Sequence, residues 1–95
     1  MNKEILEKLR ELKPILKEKF GIEEFAVFGS VARGEDTENS DIDIAIIKIK
    51  EKDYFKRVYA KYFLEENLNK KVDIGYYDSI RPIIKRHVSK DIIYV

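Results

Sequence analysis

Over the first 20 residues, apolar side chains return every third or fourth position: Ile5, Leu6, Leu9, Leu12, Ile15, Leu16 and Phe20. That spacing gathers them on one side of an α-helix and predicts an amphipathic helix from Asn2, its N-cap, to Phe20, with Gly21 as its stop. Pro14 lies inside the stretch. Proline removes an intrahelical hydrogen bond and crowds the preceding turn, so a kink or break is expected near Leu12 or Lys13. The pattern then shortens. Glu24 to Phe28 (EFAVF) reads as a buried strand, and Ser30 to Gly34 as one helical turn capped by Ser30 and stopped by Gly34. A polar, flexible loop, GEDTENS, leads from Gly34 to Ser40, and the isoleucine-rich run from Ile42 to Ile49 is the strongest strand of the chain.

In the second half, Tyr54, Phe55, Val58, Tyr59, Tyr62, Phe63 and Leu68 predict a helix from Asp53 to Leu68 whose aromatic stripe is core. Lys71 to Tyr77 (KVDIGYY) reads as a third strand. Ser79 then caps a last helix around Pro82 to Val88, with proline in the first turn where it is tolerated. This order implies an α+β domain: one small mixed sheet with helices packed on it, a single domain over residues 1–95.

Composition narrows the chemistry. The 19 Lys and Arg nearly cancel the 18 Asp and Glu, which argues against a surface built to grip nucleic acid or an anionic membrane, so phosphate binding has to be local. With no cysteine and a single histidine, His87, a thiolate or histidine metal cage is excluded and any metal site is made of carboxylates. No apolar run approaches the roughly 20 residues of a membrane span and the start lacks a signal-peptide core, so a cytoplasmic protein is expected.

Two aspartates interrupt the strongest strand. In an extended chain Asp41 and Asp43 share a face with Ala45, Ile47 and Ile49, while Ile42, Ile44 and Ile46 take the other. Two ionised carboxylates roughly 6 Å apart repel by about 3 kcal/mol at an effective dielectric near 20. A divalent cation reverses that sign, and an oxygen-only ligand set suits Mg²⁺ or Mn²⁺. Asp73, also inside an apolar strand pattern, places a third carboxylate on the same patch if the two strands are neighbours. Upstream, Gly29 allows a turn and a close backbone approach, and the amides and hydroxyl at Ser30 suit an anion. Gly-Ser, ten residues, Asp-x-Asp is a pattern that chance supplies on the order of once in a thousand chains of this length. Phosphate cradle plus carboxylate-held metal is the minimal equipment of phosphoryl or nucleotidyl transfer.

These motifs, FGSVARG, NSDIDIAI and KKVDIGYY, with the ELKPIL helix and the closing SIRPIIKRHVSKDIIYV, resemble the minimal nucleotidyltransferase (MNT) group of the DNA polymerase β superfamily, whose signature looks like GSxARGxxxxxSDIDL. The resemblance implies the nucleotidyltransferase fold, with Gly29 and Ser30 as nucleotide contacts. It also implies Asp41, Asp43 and Asp73 as catalytic ligands of one or two Mg²⁺ ions, with Mn²⁺ a substitute. Its activity would be transfer of AMP from ATP to a hydroxyl, and its partner a HEPN-family toxin that this chain, as antitoxin, adenylylates on tyrosine. Neither nucleic acid nor membrane is an expected partner, and a homo-oligomer stays open.

Other readings stand beside these. Arg33 either reaches a phosphate or pairs with Glu35 or Asp36 to shape the turn. Ser40 either braces the nucleotide site or is a turn hydroxyl, and Asp73 has a plainer role as a strand-end carboxylate paired with Lys70 or Lys71. Arg81, Lys85, Arg86, His87 and Lys90 form either a solvated charged face or a dock for an acidic partner. As for function, an antitoxin that neutralises by binding alone, and nucleotidyl transfer to a small molecule such as an aminoglycoside, are the alternatives.

Overall fold

The computed structural model describes residues 3–35, 37, 40–79 and 92–95, and at Arg33 the backbone alone. Asn2 and the helix expected around 82–88, with its basic residues, lie outside the described residues, as do Asp36, Glu38 and Asn39 of the polar loop.

Helix α1 runs unbroken from Lys3–Phe20 with Pro14 inside it, contrary to the expected break. The reason is exposure: Pro14 and Arg10, whose carbonyl loses its intrahelical donor, both face solvent, where water can take the donor's place. On the opposite side, Ile5, Leu6, Leu9, Leu12 and Leu16 are buried in the core, each such side chain contributing about 1.5–3 kcal/mol of transfer free energy. Gly21 ends the helix at φ 70°, its N–H reaching back to the Lys17 carbonyl at 3.1 Å.

Strand β1 (Ile22–Phe28) starts two residues earlier than its apolar run suggests. A short helix α2 (Ser30–Arg33) and strand β2 (Ile42–Ile49) follow. Helix α3 (Tyr54–Leu68) leads to β3 (Val72–Tyr76), and a strand the apolar pattern did not reveal, β4 (Ile93–Tyr94), closes the described chain. The sheet order is β3-β2-β1-β4. β1 is antiparallel to β2 and β4, while β2 and β3 are parallel with α3 as their crossover, so the sheet is mixed as expected. Lys13 Nζ donates to the Val95 carbonyl at 2.8 Å, joining α1 to the residue after β4.

The aromatic stripe of α3 is not core. Tyr54, Phe55, Tyr59 and Tyr62 are 63, 67, 61 and 58% exposed, whereas the helix buries Ala60 and Leu64. At 100° per residue, Phe55, Tyr59 and Tyr62 cluster roughly 120° or more around the helix from the Ala60–Leu64 line. The small Ala60 allows the helix to approach the core closely, with only Phe63 and Leu68 of the predicted set packed as partly buried neighbours. Asp53 caps the start, its carboxylate accepting from the N–H groups of Phe55 and Lys56 at 2.9 and 3.2 Å. At the other end Asn69, at φ 55°, donates to the Glu65 carbonyl at 2.8 Å. The Glu65 side chain accepts from the Val72 N–H at 3.0 Å and so pins the first residue of β3.

Candidate active site

Side-chain alternation along β2 is as its sequence implies. Ile42, Ile44 and Ile46 are buried in the core cluster, and Asp43 takes the opposite face, half-buried. The register is the important fact: Asp43 stands beside Asp73 on parallel β3 and beside Phe28 on antiparallel β1. Residues paired in register share a sheet face, so two carboxylates from neighbouring strands flank one another directly after the Phe28–Gly29 turn. Asp41 precedes the first residue of β2 and is exposed, as is Asp73.

Gly29 joins this edge to α2. Its φ of 76° and ψ of −150° belong to a region that is essentially glycine's alone. A Cβ at this position would overlap the Asp43 carboxylate, lying 3.1 Å from its carboxyl carbon. The Gly-Ser turn is therefore packed directly against the Asp-x-Asp strand. Ser30 is the first helical residue rather than the cap; Gly29 holds the cap position and no side chain makes a capping bond. The backbone reversal at a positive φ, not a serine side chain, starts this helix. Gly34, left-handed at φ 73°, ends it as expected.

Ser40 belongs to a turn: its hydroxyl accepts from the Thr37 N–H at 2.8 Å, and its own N–H donates to the Thr37 carbonyl at 3.1 Å. Lys70 Nζ also donates to that carbonyl, at 3.0 Å, which ties the turn before Asp41 to the approach to β3. Among the described residues no ion pair joins Asp73 to Lys70 or Lys71.

The expected three-carboxylate patch is only partly assembled. Among the described residues no three Asp, Glu or His side chains converge closely enough to hold a cation by themselves. Three ionised carboxylates drawn together without a counter-charge would repel one another by several kcal/mol in a partly buried setting. A Mg²⁺ site needs no such cage, because that ion binds through one or two carboxylates and fills its octahedron with waters and substrate phosphates. Asp43 and Asp73 in register, with Gly29 closed against Asp43, fit that requirement.

Beside this edge lies a cavity of about 350 Å³ whose lining includes Phe28, Tyr54, Arg57, Lys61, Asp73 and Gly75. Arg57 and Lys61 played no part in the sequence reading. The signal was available: two cations four residues apart share a helix side with core-facing positions, and both are half-buried.

A model of the nucleotidyltransferase domain family matches residues 9–95. The chain belongs to that family. Within it, this nucleotidyltransferase is 43% identical to a Methanocaldococcus jannaschii protein provisionally named a protein adenylyltransferase, with 97% of this chain and 95% of the relative covered. It is 35% identical to the protein adenylyltransferase MntA of Thermococcus cleftensis, over 84% of this chain and 81% of that protein. A solved structure provisionally described as a minimal nucleotidyltransferase superposes with a TM-score of 0.74 at 32% identity, covering 98% of this chain and 95% of that one. A toxin–antitoxin crystal structure with AMP-PNP gives 0.72 at 25% identity, over 93% of this chain and 69% of that one. The nucleotidyltransferase fold and the minimal group to which the sequence motifs pointed are thereby shown. Among the described residues no helix is long and apolar enough to cross a membrane.

Proposed function

We propose that this nucleotidyltransferase moves AMP from ATP to a hydroxyl of a protein partner, a tyrosine of a HEPN-family toxin, and serves as the antitoxin of that pair. The observation that supports this reading is the registered Asp43–Asp73 pair with Gly29 packed against Asp43, which brings the Gly-Ser turn and two carboxylates to one common edge. Names of the relatives support the donor and the class of acceptor: a protein adenylyltransferase, and a toxin–antitoxin pair solved with an ATP analogue.

Gly29 and Ser30 receive the outer phosphates through backbone N–H groups and the serine hydroxyl, with Arg33 adding a guanidinium contact. Asp41, Asp43 and Asp73 would hold one or two Mg²⁺ ions, or Mn²⁺, whose chemistry is to neutralise the triphosphate and acidify the attacking hydroxyl. The turn closed by Ser40 positions the chain entering Asp41. In the transfer itself the hydroxyl oxygen bonds to the α-phosphorus and the bond from that phosphorus to the bridging oxygen breaks. Pyrophosphate departs on the Gly29–Ser30 side, and the hydroxyl proton passes to the Asp73 carboxylate.

The test is incubation with α-labelled ATP, Mg²⁺ and the small helical protein encoded beside this one. Label should pass to that protein with the wild-type chain and not with the Asp41→Ala, Asp43→Ala double variant. A double variant that neutralises the toxin as well as wild type would favour neutralisation by binding alone, and labelling of an aminoglycoside instead would point to a small-molecule acceptor.

A further inference from the structure

Three exposed rings of α3 form a line along the helix. Phe55, Tyr59 and Tyr62 are spaced four and three residues apart, with Glu66 four further on, and at 100° per residue all four fall within about 60° of arc. Alternating steps of four and three are the seam by which one helix packs lengthwise on another. This seam points away from Ala60 and Leu64, through which α3 meets the core, and its rings are 67, 61 and 58% exposed. Tyr54, equally exposed, widens it by an edge-on contact with Phe55, the ring centroids 5.6 Å apart.

The area decides what such a face can hold. At roughly 200 Å² for an aromatic residue, the four leave about 500 Å² of largely apolar surface in water, a size that marks an interaction site on a single chain. Two such patches set face to face would bury about 1,000 Å², the lower bound for a specific contact between proteins. A second copy of this chain therefore supplies enough surface by itself.

Charge decides the direction. Lys56 lies in the first turn of α3 and Glu66 in the last, both exposed, and among the described residues neither has an ion-pair partner. If two copies of α3 run antiparallel, Tyr59 of each meets Tyr62 of the other and Lys56 of each comes beside Glu66 of the other, once at either end. Parallel copies would set Lys56 against Lys56 and Glu66 against Glu66. The helix is thus complementary to itself in one orientation only, as a two-fold contact requires.

We propose that this face is a self-association surface: α3 pairs with the α3 of a second copy, antiparallel about a two-fold axis, with the aromatic stripes in contact and a Lys56–Glu66 pair closing each end. The pairing does not rest on the transfer reading. Its test is sedimentation equilibrium of the full chain at low salt. Wild type should be a concentration-dependent dimer, half-dissociated on the order of 10–100 µM, as suits a contact at the lower size limit.

Tyr59→Ala should weaken the dimer at least tenfold, because it removes a ring from the middle of the contact. Lys56→Glu and Glu66→Lys each replace two attractive pairs by two repulsive ones and should weaken it about tenfold. The two single variants mixed in equal amounts should pair with each other as tightly as wild type, and the double variant Lys56→Glu, Glu66→Lys should pair with itself. Recovery on mixing shows that the singles are folded; thermal melts at low concentration check each variant, and Tyr59→Ala with the double variant decides the matter if a single variant does not fold. A wild type still monomeric at about 500 µM overturns the proposal, as does a Tyr59→Ala dimer of wild-type strength. Single charge variants as tight as wild type overturn the antiparallel pairing. If the chain alone stays monomeric and Tyr59→Ala instead abolishes a complex with another protein, the face belongs to that protein and the proposal is wrong.

Discussion

Replacing Gly29 by alanine puts the backbone and the carboxylate of Asp43 in direct conflict. Two costs can be separated. The first is conformational: a residue with a Cβ held at φ 76° and ψ −150° is strained by on the order of 1–3 kcal/mol. A domain of this size melts about 4–8 °C lower for each kcal/mol lost, so Tm should fall by roughly 5–20 °C. The second cost is positional. The new methyl would overlap the Asp43 carboxylate and lie 3.1 Å from its carboxyl carbon, against about 3.5–4.0 Å for relaxed carbon contacts. Relief requires the carboxylate or the turn to move by about an ångström, and displacement on that scale costs about 100-fold in rate when it misaligns reacting groups. Gly21→Ala is the control. Gly21 also has a positive φ, 70°, but a Cβ there would meet Lys50 at ordinary contact distances, its side chain at 3.4 Å and its backbone nitrogen at 3.9 Å, so it should lose about 1–2 kcal/mol of stability and no activity per folded molecule. AMP transfer measured below both melting points, with the folded fraction taken from circular dichroism, decides the matter. If Gly29→Ala stays within threefold of wild type, close packing of the turn on Asp43 is irrelevant to catalysis and the reasoning fails.

Other outcomes follow from the same structure. Pro14→Ala should raise stability by about 1–3 kcal/mol, because an exposed helix-interior proline is replaced by the best helix former; a chemical-denaturation midpoint that fails to rise would show that Pro14 is compensated elsewhere. Leu64→Ala removes a fully buried side chain of α3 and should cost about 2–5 kcal/mol, whereas Tyr59→Ala, at an exposed position on the same helix, should cost under about 1 kcal/mol. Asp53→Ala deletes the cap that holds the N–H groups of Phe55 and Lys56 and should cost about 1 kcal/mol in the same assay. Chelation by EDTA should abolish AMP transfer, with recovery on adding Mg²⁺ or Mn²⁺, and leave the far-ultraviolet circular dichroism unchanged, since the core is apolar and complete without an ion.

Local signals read correctly where local physics decides. Gly21 and Gly34 stop helices because both adopt left-handed backbone angles, and β2 is visible from its isoleucines because alternation alone separates a core face from an Asp face. The proximity of Asp43 and Asp73 was inferable only as a condition on strand order, which no local pattern specifies and which the parallel pairing supplies. Three features resisted. The α3 stripe failed because seven apolar residues cover too much of the circumference to define one face, and the residues that do face the core, Ala60 and Leu64, are less conspicuous than the rings around them. The continuity of α1 through Pro14 depends on which side of the helix meets water. β4 is only Ile93–Tyr94, too short to show a period, and exists because β1 has an open edge to receive it.

The Glu65 side chain that accepts from the Val72 N–H has a consequence for insertions and deletions. It couples the last turn of α3 to the first residue of β3 across the three residues Asn69, Lys70 and Lys71. Strand side chains alternate, so one residue gained or lost in that connection, if β3 keeps its hydrogen-bonded partner, turns Asp73 into the core and Val72 out to water. An unpaired carboxylate would then be buried where an apolar side chain belongs, at a cost of several kcal/mol. The connection therefore works as a ruler: its length, more than the identity of its residues, determines where the carboxylate lands.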